Sequence, residues 1–293
     1  MTNAYRILDG KANGLSGVAV DKYNGHFQIQ FFTEEFLELE AEIAAEIEER
    51  FKPEFLVVKY RFKNTSTNPK VLLGNNPKTV VEENGCKFSV DLLDTLNPGL
   101  FLDMRDARLL FGEMCGGKEV LNLFAYTCSF SVYARKNGAL KTVNVDISKK
   151  NLNKGKENFA LNNLVPLPGE FFCGNSEEYV DWAIKKGKKF GAIIIDPPSF
   201  AKNGKKTFSV AKDFEPLAIK TVSLLEKGGT LLLATNYSKW SGENLRKIAM
   251  NAECKILAEG TQGKDFPSAG QSKESSMVWL MASPLNSKSG HRF

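Results

Sequence analysis

An acidic residue, two prolines and an aromatic residue occur within residues 196–200, directly after the apolar residues 191–195. This apolar run is short, rich in β-branched residues and not alternating, which is typical of a strand buried on both faces. Asp196 then falls at the carboxyl end of the strand, where open α/β sheets bind ligands. The rigid turn exposes carbonyl groups, such as that of Pro197, that can accept from an amino group, and Phe200 offers a face for stacking. The segment predicts a site for a nitrogenous base, although an ordinary turn would explain the same residues.

Short apolar segments alternate with helix-length segments from about Lys118 onward. This alternation predicts an α/β fold with a doubly wound, mainly parallel sheet. Ser148 is a typical N-cap, and it predicts a helix that runs to about Leu161. The last two strands are expected to be antiparallel. In chain order, the strands are predicted at residues 119–122, 142–146, 171–173, 192–196, 229–235, 256–259 and 277–282.

The first 95 residues have a different pattern and predict a small, separate α+β domain, which leaves residues 96–293 for the second domain. Two Asn-Gly pairs, beginning at Asn24 and Asn84, lie between apolar segments and predict β-hairpins. Between them, apolar residues at helical spacing from Phe36 to Phe51 alternate with glutamates and predict an amphipathic helix. With a further strand at residues 55–60, the predicted order is β-β-α-β-β.

Composition excludes several classes of protein. With 42% hydrophobic and 25% charged residues, the 293-residue chain is typical of a globular protein. No segment has the roughly 18–20 consecutive apolar residues of a membrane span, and residues 1–9 lack a signal-peptide pattern, so a cytoplasmic protein with no membrane association is expected. The five cysteines are far apart and there are only two histidines, so neither a disulfide framework nor a metal site is expected.

Lysine is concentrated in clusters, although the net charge of +5 is small. Such clusters can contact a polyanion, but a single cluster is more often a solvated helix end. The cluster after Phe200 is the exception, because it would lie at the mouth of the predicted base site. The clusters are Lys149, Lys150, Lys154 and Lys156, then Lys185, Lys186, Lys188 and Lys189, then Lys202, Lys205 and Lys206.

Further polar and aromatic residues would meet Asp196 at the same edge of the sheet. Asp146 comes about 24 residues after Asn122, where a carboxylate binds the hydroxyl groups of a cofactor ribose. Residues 122–129 include no glycine, which disfavours a dinucleotide because its pyrophosphate needs a close backbone approach. S-adenosylmethionine has one ribose, no phosphate and a sulfonium cation, so Asp146 and the rings of Phe124 and Tyr126 would suit it. The rings are also compatible with simple packing at the sheet edge.

Residues 97–105, 121–127, 145–148 and 196–200 form an ordered set of motifs. Together they resemble the bacterial large-subunit ribosomal RNA methyltransferases of the class I, S-adenosylmethionine-dependent superfamily, over roughly residues 6–282. The resemblance implies a Rossmann-like, seven-stranded fold, with residues 101–105 closing over the cofactor, Asp146 at the ribose and residues 196–200 facing the target base. The cofactor-binding residues it implies are Phe101, Asp103, Arg105, Asn122, Phe124, Tyr126, Thr127, Asp146, Ile147, Asn175, Ser176 and Asp196, with Asn175 and Ser176 by the adenine.

The chain departs from the pattern of this family in three places. Cys128 and Ser129 stand where relatives often carry glycines, and Asn175 stands where an acidic residue is common. Residues 234–238, at the end of the fifth strand, lack the cysteine that relatives use as a nucleophile to methylate a cytosine carbon. Cys128 is the only other thiol expected near the pocket, and a free cysteine is more often core packing.

The missing cysteine limits the chemistry that is expected. Carbon 5 of a pyrimidine is a poor nucleophile that needs a thiolate adduct, whereas a nitrogen already has a lone pair. The sequence therefore predicts a nucleobase-nitrogen methyltransferase that works mainly by aligning the acceptor with the methyl group and sulfur. The predicted catalytic residues are Asp196, Pro197, Phe200 and Asn236, with Asp196 and Asn236 orienting the base.

The predicted acceptor is ribosomal RNA. Many relatives carry an additional N-terminal RNA-binding domain of the PUA type, for which this chain starts too late, so contacts are expected from Lys59, Arg61, Lys63 and the lysines after Phe200. A methyltransferase for a small molecule or a protein is an open alternative, because fold and cofactor do not fix the acceptor. A non-catalytic ribosome-assembly factor is another, against which Asp146 and Asp196 argue. The modified nucleotide and the oligomeric state stay open.

Overall fold

The computed structural model describes residues 1–62, 68–95, 97–203, 206–267 and 277–285, with the backbone alone for residues 200–203 and 206–207. The chain divides into two compact units. The first comprises Met1–Arg105 and Gly263–Gln271, and the second comprises Asp106–Gln262 and Ser272–Phe293. The first unit thus extends beyond the predicted boundary at residue 95 and takes in a segment from much later in the chain.

The first unit contains a mixed sheet and a separate hairpin. Its described elements are β1 (Ala4–Asp9), β2 (Val18–Tyr23), β3 (His26–Phe31), α1 (Glu40–Phe51), β4 (Phe55–Tyr60), β5 (Lys70–Leu73), β6 (Lys78–Glu83) and β7 (Cys86–Asp91). Strands β1 to β5 form one sheet in that order, in which β3 and β4 are parallel because α1 connects them. Strands β6 and β7 form the hairpin. The predicted β-β-α-β-β order omits β1 and β5, which are edge strands, and counts the two strands of the hairpin β6-β7 as one.

The two hairpin turns and the amphipathic helix predicted for this unit are present in the structure. Asn24 and Asn84 adopt φ of 58° and 49°, and each lies in the tight turn of an antiparallel hairpin. Asparagine tolerates the left-handed region that such turns require. Ala44 and Ile47 of α1 are buried in one core with residues of β2, β3 and β4, as expected for an amphipathic helix on a sheet.

Ion pairs tie the segment around Asp265 to the first unit. Asp265 accepts hydrogen bonds from both ends of the Arg105 guanidinium, at 3.0 and 3.1 Å, and from the backbone N–H of Arg6 at 3.0 Å. Arg105 also donates to the Ala4 carbonyl at 2.7 Å. Both side chains are mostly buried, at 15% and 14% exposure, and breaking a fully buried pair costs about 3–5 kcal/mol. These contacts are the physical reason why the first unit reaches Arg105 and includes the segment that begins at Gly263.

The second unit is built on a seven-stranded sheet. Its elements are α2 (Arg105–Glu113), β8 (Glu119–Leu123), α3 (Ser129–Lys136), β9 (Lys141–Asp146), α4 (Lys149–Leu161), β10 (Phe171–Cys173), α5 (Ser176–Lys185), β11 (Phe190–Ile195), β12 (Phe200–Asn203), β13 (Lys206–Ser209), α6 (Val210–Val222), β14 (Leu225–Thr235), α7 (Gly242–Asn251), β15 (Cys254–Thr261) and β16 (Val278–Pro284). The sheet has the strand order β10-β9-β8-β11-β14-β16-β15, and β16 is antiparallel to both neighbours. The prediction of a doubly wound, mainly parallel sheet is confirmed, whereas the hairpin β12-β13 was not predicted.

Helices cover both faces of this sheet. Helices α5, α6 and α7 contribute residues such as Val180, Phe214 and Leu245 to the main core, while α3 and α4 pack against β8, β9 and β10. Every residue of β11 is buried, which agrees with the non-alternating apolar pattern of a central parallel strand. Strands β9, β8, β11 and β14 run parallel, so their carboxyl ends lie at one edge. The loops at this edge contain the predicted site residues of the second unit.

Three general features of the described part of the chain bear on function. None of its helices is long and apolar enough to cross a membrane. Its histidine, cysteine, aspartate and glutamate side chains form no group of three or more that could hold a metal ion. The five cysteines are free thiols.

Candidate active site

The loop after β8 follows a strained backbone path. Phe124, Tyr126 and Cys128 have positive φ values of 58°, 48° and 61°. The left-handed region costs a non-glycine residue of order 1–2 kcal/mol, and such strain persists only where surrounding contacts impose it. A turn with left-handed residues can gather backbone N–H groups around an anion. The loop therefore takes, without glycine, a path that can hold a negative charge.

The anion in this position is the carboxylate of Asp146, at the end of β9. Its Oδ2 accepts from the N–H of Tyr126 at 2.8 Å, and its Oδ1 accepts from the N–H of Ser148 at 2.8 Å and the amide of Asn151 at 3.4 Å. Burial raises the pKa of Asp146 above its ordinary value, and these three hydrogen bonds oppose that rise. A carboxylate has about four lone-pair sites, so Asp146 retains acceptor capacity at the sheet edge.

Cys128 is packed between this loop and α4. Its side chain is fully buried, and an added Cβ at Gly155 of α4 would come within 2.5 Å of its sulfur. Burial raises the pKa of the Cys128 thiol well above its ordinary value, with smaller contributions from the negative charges of Asp146 and Glu170. The thiolate is the nucleophilic form of cysteine. Cys128 is thus a neutral packing residue, which agrees with the core role weighed from the sequence.

The side chain of Asn122 faces the core, contrary to its expected place in the cofactor crevice. It is 2% exposed, and its amide donates to Ser131 at 3.0 Å and to Asn144 at 3.5 Å. Side chains alternate across a strand, so a residue near a strand end can still point away from the edge. Thr127 is also buried, and its carbonyl accepts from Asn158 at 2.9 Å. Both residues support the loop from beneath.

Residues after β9 and β10 form the neighbouring part of the edge. Ile147 is 47% exposed, directly after Asp146. Asn175 caps α5 by accepting from the N–H of Glu178 at 3.0 Å, so its amide nitrogen is still available as a donor at the edge. Ser176 is buried and accepts from the N–H of Phe124 at 3.3 Å. An exposed apolar side chain beside a carboxylate and an amide suits a purine riboside.

The loop after β11 contains the predicted catalytic residues. Asp196 is half-buried, Pro197 is buried and Pro198 is exposed. The hydroxyl of Ser199 donates to the side-chain oxygen of Asn236 at 3.2 Å. Asn236 directly follows β14, which lies beside β11 in the sheet. The structure therefore brings the loop of Asp196 and Pro197 together with Asn236.

An unpredicted hairpin continues from this loop. Its second strand places the ring of Phe208 against that of Phe124, with centroids 5.2 Å apart. The N–H of Val210 donates to the Ser199 carbonyl at 3.3 Å and closes the base of the hairpin. Phe200 begins β12, but its side chain lies outside the described atoms, so its stacking role stays a prediction. Phe208 connects the hairpin to the loop that carries Tyr126.

Three predicted cofactor residues belong to the first unit. Arg105 is engaged by Asp265 and by the Ala4 carbonyl, so its guanidinium has a structural role that the motif did not predict. Phe101 and Asp103 are partly exposed. Asp103 also contributes to the electrostatic environment of Arg6. The structure assigns these residues to a different unit from Asp146.

A family model for S-adenosylmethionine-dependent methyltransferases matches residues 31–260. The chain belongs to this family. YwbD of Bacillus subtilis, which bears the name of a ribosomal RNA large subunit methyltransferase, is 31% identical over 90% of this chain and 70% of its own. The ribosomal RNA large subunit methyltransferase K/L of Shewanella sediminis is 32% identical over 90% of this chain, which spans only 38% of that relative. SMU.776, crystallised with SAH, has a TM-score of 0.87 and 28% identity over 96% of this chain and 75% of its own.

The residues at the sheet edge fit the cofactor of this methyltransferase family. S-adenosylmethionine combines a ribose diol, an adenine and a sulfonium cation. The retained acceptor capacity of Asp146 suits the diol, exposed Ile147 suits a flat apolar base, and the aromatic residues Phe124 and Tyr126 suit a cation.

Several residues that shape this methyltransferase site were missed in the sequence. Ser199 and Phe208 connect the loops at the edge, and Asn151 and Ser148 hold the carboxylate of Asp146. Ser148 was recognised only as a helix cap. Ser199 could have been found, because it lies within the Pro-Pro motif. Phe208 gave no signal, since its contact depends on a hairpin that spacing did not reveal.

The expected RNA contacts of the first unit need correction. Lys59 is buried and donates to the carbonyl of Asp94 at 2.6 Å. Arg61 donates to the carbonyl of Thr95 at 2.6 Å, and burial lowers its pKa. Lys59 is therefore buried and engaged by a backbone carbonyl rather than presented to a ligand, and one N–H of Arg61 is engaged in the same way. Lys63 and Lys205 lie outside the described residues.

Proposed function

We propose that this methyltransferase modifies a nucleobase nitrogen in large-subunit ribosomal RNA. The main observation in support of this proposal is the hydrogen bond from Ser199, in the loop after β11, to Asn236, directly after β14. Residues 196–200 and 234–238 supply hydrogen-bonding groups and include no cysteine. The names of the relatives YwbD and methyltransferase K/L support ribosomal RNA as the acceptor. A ribosomal acceptor would place the reaction in the cytoplasm.

The positions of the thiols support transfer to nitrogen. Burial raises the pKa of Cys115 to about 12, and it also raises the pKa of Cys128 and Cys254. Cys86 belongs to the first unit and is buried. Cys173 is exposed, but β10 lies three strand spacings from β11, or about 14 Å. A thiolate adduct to a pyrimidine carbon therefore has no suitable nucleophile among these positions.

The cofactor supplies an electrophilic methyl group, and the chain supplies alignment. Asp146 would accept from the ribose hydroxyls, with Ile147 and Asn175 beside the adenine and Phe124 and Tyr126 near the methionine part. The family resemblance also implies that Phe101 and Asp103 contact the cofactor, and this role stays a prediction.

The base would be held on the other side of the methyl group. Asp196 and the carbonyl of Pro197 would accept from the base, Asn236 would hold its other edge and Phe200 would stack on it. Most of the rate acceleration would come from this positioning.

The lysines differ in their place relative to the site. Lys149 and Lys150 begin α4, just after the carboxyl end of β9, and they are exposed on the side of the site. The cluster from Lys185 to Lys189 precedes β11 and lies at the opposite, amino-terminal edge. We propose that contacts to the RNA backbone come from Lys149 and Lys150 and from the lysines that follow Phe200 in the sequence, which are Lys202, Lys205 and Lys206. Such contacts weaken steeply with added salt.

The proposal is tested by transfer of labelled methyl groups from S-adenosylmethionine to total RNA from cells that lack this protein. The RNA is digested, and mass spectrometry identifies the labelled nucleoside. A nitrogen-methylated base from large-subunit RNA is expected. Label on a ring carbon would contradict the nitrogen chemistry, and cofactor binding without any RNA label would contradict the RNA acceptor.

Replacing Cys128 by alanine is expected to leave RNA methylation close to that of the wild-type protein, because the thiol is buried and protonated. Initial rates and melting temperatures are measured together, so that a stability effect is recognised. Cys254→Ala, at another buried thiol of the second unit, is the matched control. Loss of nearly all activity in Cys128→Ala alone, at unchanged stability, would show that the thiol acts in the reaction.

A further inference from the structure

The hydrogen bond between Ser199 and Asn236 has a defined direction. The Ser199 hydroxyl is the donor and the Asn236 oxygen is the acceptor, at 3.2 Å. Ser199 itself is held in place, because its carbonyl accepts from the N–H of Val210 at the base of the hairpin. On the other strand, the N–H of Tyr237 donates to Thr235 at 3.1 Å and orders the turn that carries Asn236. Both partners are therefore fixed by their own loops.

This direction determines which end of the amide is available. Asn236 is exposed, and its oxygen is already engaged by Ser199. Among the described residues, none accepts a hydrogen bond from its amide nitrogen. An asparagine side chain offers two N–H donors at that nitrogen. The Asn236 side chain thus turns its oxygen toward Ser199 and its two N–H donors away from Ser199, at the edge where β11 and β14 end.

We propose that Ser199 is a positioning residue that holds Asn236 as a hydrogen-bond donor, so that the substrate base must offer Asn236 an acceptor atom. The acceptor would be a carbonyl oxygen or an unprotonated ring nitrogen of the nucleobase. This inference rests on the proposed function and deepens it, since it assigns a polarity to one edge of the target base.

The opposite side of the proposed base site has the complementary polarity. In the proposed function, the Asp196 carboxylate and the Pro197 carbonyl accept hydrogen bonds from the base, so the base would have to offer them donors. Acceptors after β11 and a donor after β14 allow a base to enter in one orientation and disfavour the reversed one. A site built on paired polar groups rejects a mismatched partner because a polar group that the bound base covers is then left unpaired. Ser199 contributes to this selection without touching the base.

The test compares Ser199→Ala, Ser199→Thr and Asn236→Asp with the wild-type protein. Asn236→Asp keeps an oxygen for the Ser199 hydroxyl but replaces the donors with a second acceptor. Labelled methyl transfer to total RNA gives kcat and KM for RNA, and calorimetry gives the affinity for SAH. Melting temperatures of all variants show whether a loss of activity reflects a loss of stability.

The expected loss of kcat/KM for RNA is larger for the Asn236 variant than for the Ser199 variants. Asn236→Asp should lower kcat/KM for RNA by roughly a hundredfold. Ser199→Ala should lower it by roughly tenfold, because the amide can then turn. Ser199→Thr retains a hydroxyl, so its kcat/KM for RNA should be close to that of the wild-type protein. The affinity for SAH should not change in any variant.

Equal activity of Ser199→Ala and the wild-type protein would overturn the positioning role. Activity retained by Asn236→Asp would overturn the donor role of Asn236. Either result can be obtained while the wild-type protein labels RNA, so it would leave the proposed function intact. Absence of labelling by the wild-type protein would instead contradict the proposed function, on which this inference rests.

Discussion

Replacement of Asp146 by alanine should weaken cofactor binding by about a hundredfold. The carboxylate accepts backbone hydrogen bonds from Tyr126 and Ser148, so it both orders the strained loop and stays available to the ribose hydroxyls. Loss of charge-assisted hydrogen bonds worth about 3 kcal/mol in total corresponds to about a hundredfold in affinity. Calorimetric titration with SAH measures the effect without any assumption about the acceptor.

A second variant and a control make the Asp146 result specific. Asp146→Asn retains the shape but faces the N–H of either Tyr126 or Ser148 with a donor, so at least a tenfold loss of affinity is expected from one unpaired group. Asp181→Asn removes an exposed carboxylate that pairs with Lys220, and it should bind SAH like the wild-type protein. Wild-type affinity in Asp146→Ala, with an unchanged melting temperature, would show that the ribose is held elsewhere.

The same carboxylate gives cofactor binding a defined pH dependence. Burial raises the pKa of Asp146, and only the ionised form accepts from both ribose hydroxyls. Affinity for SAH should therefore fall as the pH is lowered through this raised pKa, and it should be constant above it.

The fold of the second unit was largely predictable because its signals are local. The apolar run before Asp196 and the cap at Ser148 each depend on neighbouring residues, and the structure agrees with both. Strands β1 and β5 escaped prediction because they lie at sheet edges, where partial exposure leaves no clear apolar pattern. Edge position is a property of the assembled sheet, so a local pattern does not reveal it.

The errors at the candidate site arise from side-chain direction and from long-range pairing. Asn122 was expected in the crevice because of where its strand ends, but strand alternation turns its side chain into the core. Arg105 was expected at the cofactor because of its motif, yet it pairs with Asp265, 160 positions away. The spacing of neighbouring residues does not show which face of the strand its last residues occupy, and it does not show an ion pair between distant positions. The positive φ values of Phe124, Tyr126 and Cys128 could not be predicted either, because glycine is the residue that usually indicates such a backbone conformation.

Replacing Asp196 by asparagine should lower kcat for RNA methylation by roughly a hundredfold while the affinity for SAH stays close to wild type. The asparagine preserves the size of the side chain but removes the charge and one acceptor, so the base loses its alignment with the methyl group. A misplacement of about 1 Å in such a reaction can cost a hundredfold in rate. Single-turnover rates at saturating cofactor isolate this effect from binding.

Asp213→Asn is a suitable control for Asp196→Asn because it lies in the same part of the chain. Asp213 accepts from the N–H of Ser209 at the start of α6, and an asparagine oxygen can do the same, so this variant should methylate RNA at the wild-type rate. The two aspartates have different surroundings. Asp213 accepts a hydrogen bond at the start of a helix, whereas Asp196 follows a central strand in the loop that also carries Ser199. If Asp196→Asn lost affinity for SAH in proportion to its loss of rate, Asp196 would act on the cofactor rather than on the base. A loss confined to the chemical step would instead place Asp196 on the side of the base, where the donor of Asn236 and an acceptor after β11 together determine how the base enters.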